Sequence, residues 1–347
     1  MSISLQKIVE DAAALKSSDI HLSFGSKPKI RVDGDLIDLP GHEPLTEADC
    51  EDISRQLADE DFPKIGEQDF AVQIAGHRLR VNVYRQSKHV ACALRILSDN
   101  IPNLEDLNLP KVVGTFPSYE KGIVLVTGET GSGKSTTLAA ILKKINQTRP
   151  EHIITLEDPI EYVHEEEMSL IDQREIGVDT NSYANGLRAI LREDPDVILI
   201  GEMRDMETTS IALTAAETGH LVFATLHTNS AADSIDRIVN IFPAEQQSQV
   251  RMQVSTTLKA VLSQQLLKKR GGGRIAACET MIVNDAIRNN IRDGKTHMIF
   301  SAISTTRDIG GMTMDNHIIE LYRNRTISKE VAIAAAHDEE YIKKSIV

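Results

Sequence analysis

GETGSGKSTT, residues 128–137, lies between an apolar run, GIVLVT at 122–127, and a stretch of helical spacing, TLAAILKKI at 137–145. Strand, glycine loop and helix N-terminus in that order are the setting in which a phosphate-binding loop works. Gly128, Gly131 and Gly133 permit backbone conformations and close approaches that a Cβ would block, which turns N–H groups inward onto phosphate oxygens. The following helix adds the positive end of its dipole at the same spot. Lys134 is placed to reach the β- and γ-phosphates, and the Ser135 hydroxyl to complete the coordination of a bridging Mg2+. The expected contacts with a nucleoside triphosphate are Gly128, Thr130, Gly131, Ser132, Gly133, Lys134, Ser135 and Thr136.

Outward from the loop, apolar strands at 123–126, 153–156, 197–200 and 221–226 are separated by helical segments. That alternation predicts an α/β domain with a mostly parallel, doubly wound sheet, whose ligands bind beyond the carboxyl ends of the strands. After Pro243 the pattern reads as helical through Val250, Val254, Leu258, Val261, Leu262 and Leu266, broken by Gly271 to Gly273 and one strand at 275–283. Before the loop, Leu5, Ile8, Val9, Ala12 and Leu15 keep helical spacing, and the period switches to two at Ile20, Leu22 and Phe24. Asp33-Gly34 is a hairpin signal, Thr46 to Asp49 the start of a capped helix, and alternating runs flank Ala75-Gly76. The chain therefore divides into an α+β domain at 1–100, a proline-marked linker at 101–117, and a nucleotide-binding domain with a helical C-terminal region at 118–347.

Composition agrees with this frame. With 347 residues and 41% hydrophobic content the chain is long enough for two cores. A net charge of −13 disfavours a polyphosphate backbone as partner, so no nucleic acid is expected. Cys50, Cys92 and Cys278 are far apart, without metal-ligand spacing, and suit buried free thiols in a reducing compartment. No secretory leader or membrane-spanning run is present, which points to a cytoplasmic protein.

Three more segments end predicted core strands. ITLEDPIEYVH at 154–164 sets three carboxylates past a strand, REDPDVILIGEMRD at 192–205 ends a strand in Gly-Glu, and TGHLVFATLHTN at 218–229 brackets one with His220 and His227. With the phosphate loop, these boxes resemble the secretion ATPase superfamily of type II secretion and type IV pili, and most of all its PilT-type pilus-retraction branch. The resemblance covers essentially the whole chain, from SSDIHLSFGSKPKIRVDGDL at 17–36 to GGGRIAACETMIV at 271–283 and AIRNNIRD at 286–293.

The resemblance implies a PAS-like N-terminal domain, a RecA-like ATPase domain, and ATP with Mg2+ as cofactors. It implies that Glu161 polarises the attacking water, that Glu202 holds magnesium through water or shares in orienting the nucleophile, and that His227 senses the γ-phosphate, with His220 nearer to structural. Arg80 and Arg95 match positions that bring guanidinium groups to the phosphates. It further implies a homo-hexamer, peripheral to the inner membrane through a platform protein, that powers pilus retraction and twitching motility. Two departures stand out: relatives carry proline where Glu129 stands, and the family's AIRNLIRE here reads AIRNNIRD, which puts Asn290 on the face shared by Ala286, Ile287 and Ile291. Replacing Ile287 and Ile291 by Ala is expected to leave a folded ATPase that no longer retracts. The alternatives within the superfamily are a PilU-like accessory retraction ATPase or a type II secretion or pilus-assembly motor. Outside it stand a nucleic-acid motor, disfavoured by the acidic balance, and a non-hydrolysing scaffold, disfavoured by intact Lys134, Glu161 and Glu202.

Overall fold

A computed structural model of the chain describes residues 4–32, 34–58, 66–97 and 100–346. The chain separates into two compact units, Met1–Asn100 with Pro159–Val163, and Ile101–Asp158 with His164–Val347.

In the first unit, alternating apolar residues give an antiparallel sheet with one buried face. Its strands are β1 (Asp19–Ser23), β2 (Lys29–Val32), β3 (Asp35–Asp38), β4 (Glu67–Ile74), β5 (His77–Gln86) and β6 (His89–Ile96), in the order β3-β2-β1-β6-β5-β4. Helices α1 (Leu5–Ala14) and α2 (Glu47–Ala58) complete the unit, and Ile8 and Val9 of α1 share one core with Ile20, Leu22, Val81 and Leu94. The start of α2 is a reciprocal cap: the Thr46 N–H donates to Asp49 Oδ2 at 2.8 Å, and the Asp49 N–H to Thr46 Oγ1 at 3.2 Å. Ala75 and Gly76, with φ of 53° and 80°, close the β4–β5 hairpin in the left-handed geometry that such turns require. At the β2–β3 turn, Gly34 is left-handed as the DG signal requires, and Asp33 lies outside the described residues.

The second unit carries a seven-stranded sheet of β7 (Gly122–Thr127), β8 (His152–Glu157), β9 (Leu170–Glu175), β10 (Val197–Ile200), β11 (Leu221–Leu226), β12 (Leu258–Lys268) and β13 (Arg274–Ile282). The order is β13-β12-β7-β11-β10-β8-β9, parallel throughout except for the antiparallel β12–β13 pair. Helices α3 (Lys134–Thr148), α4 (Tyr183–Ile190), α5 (Met206–Glu217), α6 (Ala231–Asn240) and α7 (Ala244–Thr257) accompany the strands. A C-terminal set follows: α8 (Asp285–Arg292), α9 (Ile299–Ser304), α10 (Met314–Arg323), α11 (Lys329–Ala334) and α12 (Glu339–Ser345). Strands β7, β10 and β11 are buried on both faces, which is why they read as unbroken apolar runs. Residues 101–117 group with this unit; they enter two 3-10 turns, Leu104–Leu107 and Lys111–Ser118, with Leu104, Val113 and Phe116 in the core beside α3.

Two expectations from the sequence change. Leu258, Val261, Leu262 and Leu266 are not helical but lie in β12, beside the phosphate-loop strand. A strand buried on both faces satisfies helical spacing by accident, and α7 gives way to it at the β-branched pair Thr256-Thr257. In α8, Ile287 and Ile291 are buried in the main core with Val250, Val254, Ile299 and Ile303, whereas Ala286 is exposed and Asn290 half-buried at the edge of the stripe. This helix is a core element, so its isoleucines bear on stability before they bear on transmission.

All three cysteines are free and buried; burial pushes the Cys50 thiol up to about 11 and the Cys92 thiol up to about 12. Among the described residues no helix is long and apolar enough to cross a membrane. Ile287→Ala should lower the unfolding free energy by about 2–5 kcal/mol, the usual cost of emptying a fully buried aliphatic site. A denaturation midpoint equal to wild type would remove α8 from the core.

Candidate functional site

The carboxyl ends of β7, β11, β10 and β8 lie along one edge of the sheet, because the parallel register sets Thr127 beside Leu226, Ala224 beside Ile200 and Ile200 beside Leu156. The phosphate loop leaves β7 at that edge. Gly128 has φ +139°, and a Cβ there would stand 2.2 Å from the Gln264 carbonyl oxygen and 2.6 Å from Ser132 Oγ. Only glycine fits. Gly131 and Gly133 are left-handed, at +81° and +92°, and Gly133 caps α3 without a side chain, leaving that helix start to be met by something other than a protein cap. The Lys134 ammonium donates to the carbonyls of Gly128 at 2.7 Å and Glu129 at 2.9 Å, folded over the loop. Ser132 Oγ is buried without a hydrogen-bond partner. An orphaned hydroxyl, a cradle that a Cβ would fill and an uncapped helix start all fit a phosphate group. Ser135, beside Lys134 in the first turn of α3, and Glu202, past β10, are the oxygen donors suited to Mg2+.

Two clefts adjoin the loop and share Ser132, Gln264 and Arg274 in their walls. One of about 460 Å³ is bounded by Glu129 to Ser132, Gln265, Arg274 and His337. Another of about 260 Å³ is bounded by Asn108, Thr136, Lys269 and Arg274. Glu129 is exposed on the loop and accepts a long hydrogen bond, 3.4 Å, from Asn229 at the end of the histidine box.

Glu202 is fixed by its neighbours on either side. The Gly201 N–H donates to the Leu156 carbonyl at 2.7 Å, the Thr225 hydroxyl donates to the Gly201 carbonyl, and the Met203 N–H donates to the Thr225 carbonyl at 3.2 Å. The carboxylate then meets Arg204 Nε at 2.7 Å and His227 Nε2 at 3.3 Å. Burial alone would push this carboxyl up, but the Arg204 hydrogen bond and the nearby His227 outweigh it and hold it below the ordinary value. Asp205 in the same segment has a separate task, capping α5 through the Thr208 N–H. His220, at the opposite end of β11, is tied to the Ala215 carbonyl at 2.8 Å.

The acidic box is divided. Glu157 and Asp158 belong to the second unit, and Pro159–Val163, including Glu161, groups with the first. Glu157 Oε1 accepts from Thr155 Oγ1 at 2.8 Å and Gln173 Nε2 at 3.1 Å, while within the first unit the Arg78 guanidinium donates to the Ile160 carbonyl at 2.9 Å. Arg80 and Arg95 lie on β5 and β6 in ion pairs with Asp69 at 2.7 Å and Asp19 at 2.9 Å. Both guanidinium groups are exposed, whereas Asp19 is mostly buried. The structure thus gathers the loop, Asn229, His227 and Glu202 in one unit and sets Glu161, Arg80 and Arg95 in the other. Sequence reasoning passed over Arg204, although it lies inside a quoted box, and Arg78, two residues from Arg80.

The family model for type II/IV secretion system proteins matches residues 1–345. The chain belongs to that family. It is 46% identical over 334 residues to the type IV pilus retraction ATPase PilT of Pseudomonas aeruginosa, covering 95% of this chain and 97% of that one. It is 35% identical over 339 residues to the type IV pilus ATPase PilU of the same organism, covering 96% and 89%. A crystal structure of the pilus retraction motor PilT with bound ADP superposes with a TM-score of 0.90 at 45% identity, over 99% of this chain and 100% of that one. This member of the family is a nucleotide-binding ATPase with the family's α/β architecture.

Two glycine substitutions separate the cradle from mere backbone freedom. Gly131→Ala, whose Cβ meets open space, should cost about 1–2 kcal/mol of left-handed strain and keep nucleotide affinity within a few-fold. Gly128→Ala, which must displace the β12 backbone, should lose binding of a fluorescent ATP analogue altogether. Equal affinities for the two variants would refute the cradle.

Proposed function

We propose that this chain is a Mg2+-dependent motor ATPase that drives type IV pilus retraction by pilin disassembly, working as a homo-hexamer in the cytoplasm against an inner-membrane platform protein. The observation that carries this reading is the end-to-end match to PilT, which leaves neither chain with a large unmatched segment. The lower identity to PilU favours retraction proper over an accessory role.

In this reading Lys134 leaves the Gly128 and Glu129 carbonyls for the β- and γ-phosphates, and the loop N–H groups from Gly128 to Thr136 take the remaining oxygens. Ser135 and, through water, Glu202 would hold a magnesium ion, which would supply charge neutralisation for the phosphates. Glu161 orients and deprotonates the attacking water. His227, already within reach of Glu202, reports whether the γ-phosphate is present. Arg80 and Arg95, freed from their ion pairs, add positive charge as it builds on the transferred group, which is where phosphoryl transfer needs help. Residues 1–100 and 118–347 serve as the two working domains, joined along the chain by 101–117, which packs with the second.

Lys134→Ala should abolish ATP hydrolysis in a folded chain. Glu161→Gln should retain ATP binding and lower kcat by about 10²–10⁴-fold, as loss of a general base does. If Glu161→Gln turns over normally while Glu157→Gln is dead, the water is held by the other carboxylate of the acidic box. In the native host, loss of the chain should leave overlong, static pili; absence of pili would assign it to assembly instead.

A further inference from the structure

Tyr183 opens α4 and takes no part in any motif described above. Its ring packs against the main core cluster, and with Gly186, Leu187 and Ile190 it forms the helix face turned to the sheet. Two glycines bring that face unusually close. A Cβ on Gly186 would stand 2.7 Å from Leu156 Cδ2, so the helix rests directly on β8. A Cβ on Gly201 would stand 2.8 Å from the Tyr183 hydroxyl, 3.0 Å from the Leu156 carbonyl oxygen and 3.3 Å from Glu157 Cα. Gly201 has no left-handed φ to explain it; the clearance for the phenol and for the backbone at the end of β8 explains it instead.

The hydroxyl is thereby lodged where β8 and β10 end. Burial pushes the phenol well above its ordinary value, and the charges of Asp158, Glu157 and Glu202 push it further, against a smaller opposing effect from Arg204. It is a neutral O–H donor among carboxylates that can only accept. Two of those carboxylates have other partners: Glu157 is served by Thr155 and Gln173, and Glu202 by Arg204 and His227.

We propose that Tyr183 is a positioning residue for ATP hydrolysis, its hydroxyl donating the hydrogen bond that orients a water held among Glu157, Asp158 and Glu202. This rests on the hydrolytic reading of the site above. The Tyr183→Phe chain keeps the ring and its packing and removes one donor. Steady-state ATPase assays should show kcat reduced about five- to tenfold, the worth of one hydrogen bond, with KM for ATP and melting temperature at wild-type values. A kcat equal to wild type overturns the proposal, and so does a loss that comes with a lower melting temperature or a risen KM, which would make the hydroxyl a packing group. The two readings fail separately: undiminished hydrolysis by Lys134→Ala sinks the phosphate-loop assignment, and undiminished hydrolysis by Tyr183→Phe sinks only this one.

Discussion

The clearance between Gly128 and β12 governs the nucleotide end of this molecule. Strand β12 grips the phosphate loop on both sides: Thr127 Oγ1 donates to Ser263 Oγ at 2.8 Å just before the loop, and Gln264 Nε2 donates to Thr137 Oγ1 at 3.0 Å just after it. Between those two hydrogen bonds the backbone passes so near the Gln264 carbonyl that a methyl group has no place. Buried polar contacts of this kind are costly to break, because each leaves an unsatisfied group behind. The loop is therefore shaped by a neighbouring strand as much as by its own glycines, and α3 starts where that strand allows.

That dependence also marks the limit of what the amino-acid sequence discloses. The strand–loop–helix order of 122–145 and the apolar runs of β7, β8, β10 and β11 are readable because local spacing and burial agree there. The edge strand β9 is not, since one of its sides meets solvent and its apolar residues are sparse. Strand β12 is misread because burial on both faces erases the period that would distinguish it from a helix. In the site, Glu202 and His227 are legible as strand-end residues and do meet at 3.3 Å. Arg204 is hidden by its type, as an arginine in a turn ordinarily faces water, and its value to Glu202 emerges only from the fold. The split of the acidic box between Asp158 and Pro159 has no sequence mark beyond the proline itself.

Glycine has distinct tasks at the sheet edge, and the structure separates them. Gly131 supplies a left-handed turn with open space around it, whereas Gly186 and Gly201 supply room for neighbouring side chains. Gly128 needs both, which makes it the least replaceable of the four.

The cysteines have a practical consequence for watching such a machine at work. Thiolate is the species that reacts with alkylating dyes, and here burial keeps Cys50, Cys92 and Cys278 both protonated and out of reach. Cysteines introduced on exposed surfaces, one in each unit, would outrun all three. Fluorophores could then be placed on each of the two units in an otherwise native chain, and energy transfer between them recorded through successive turnovers without first building a thiol-free background.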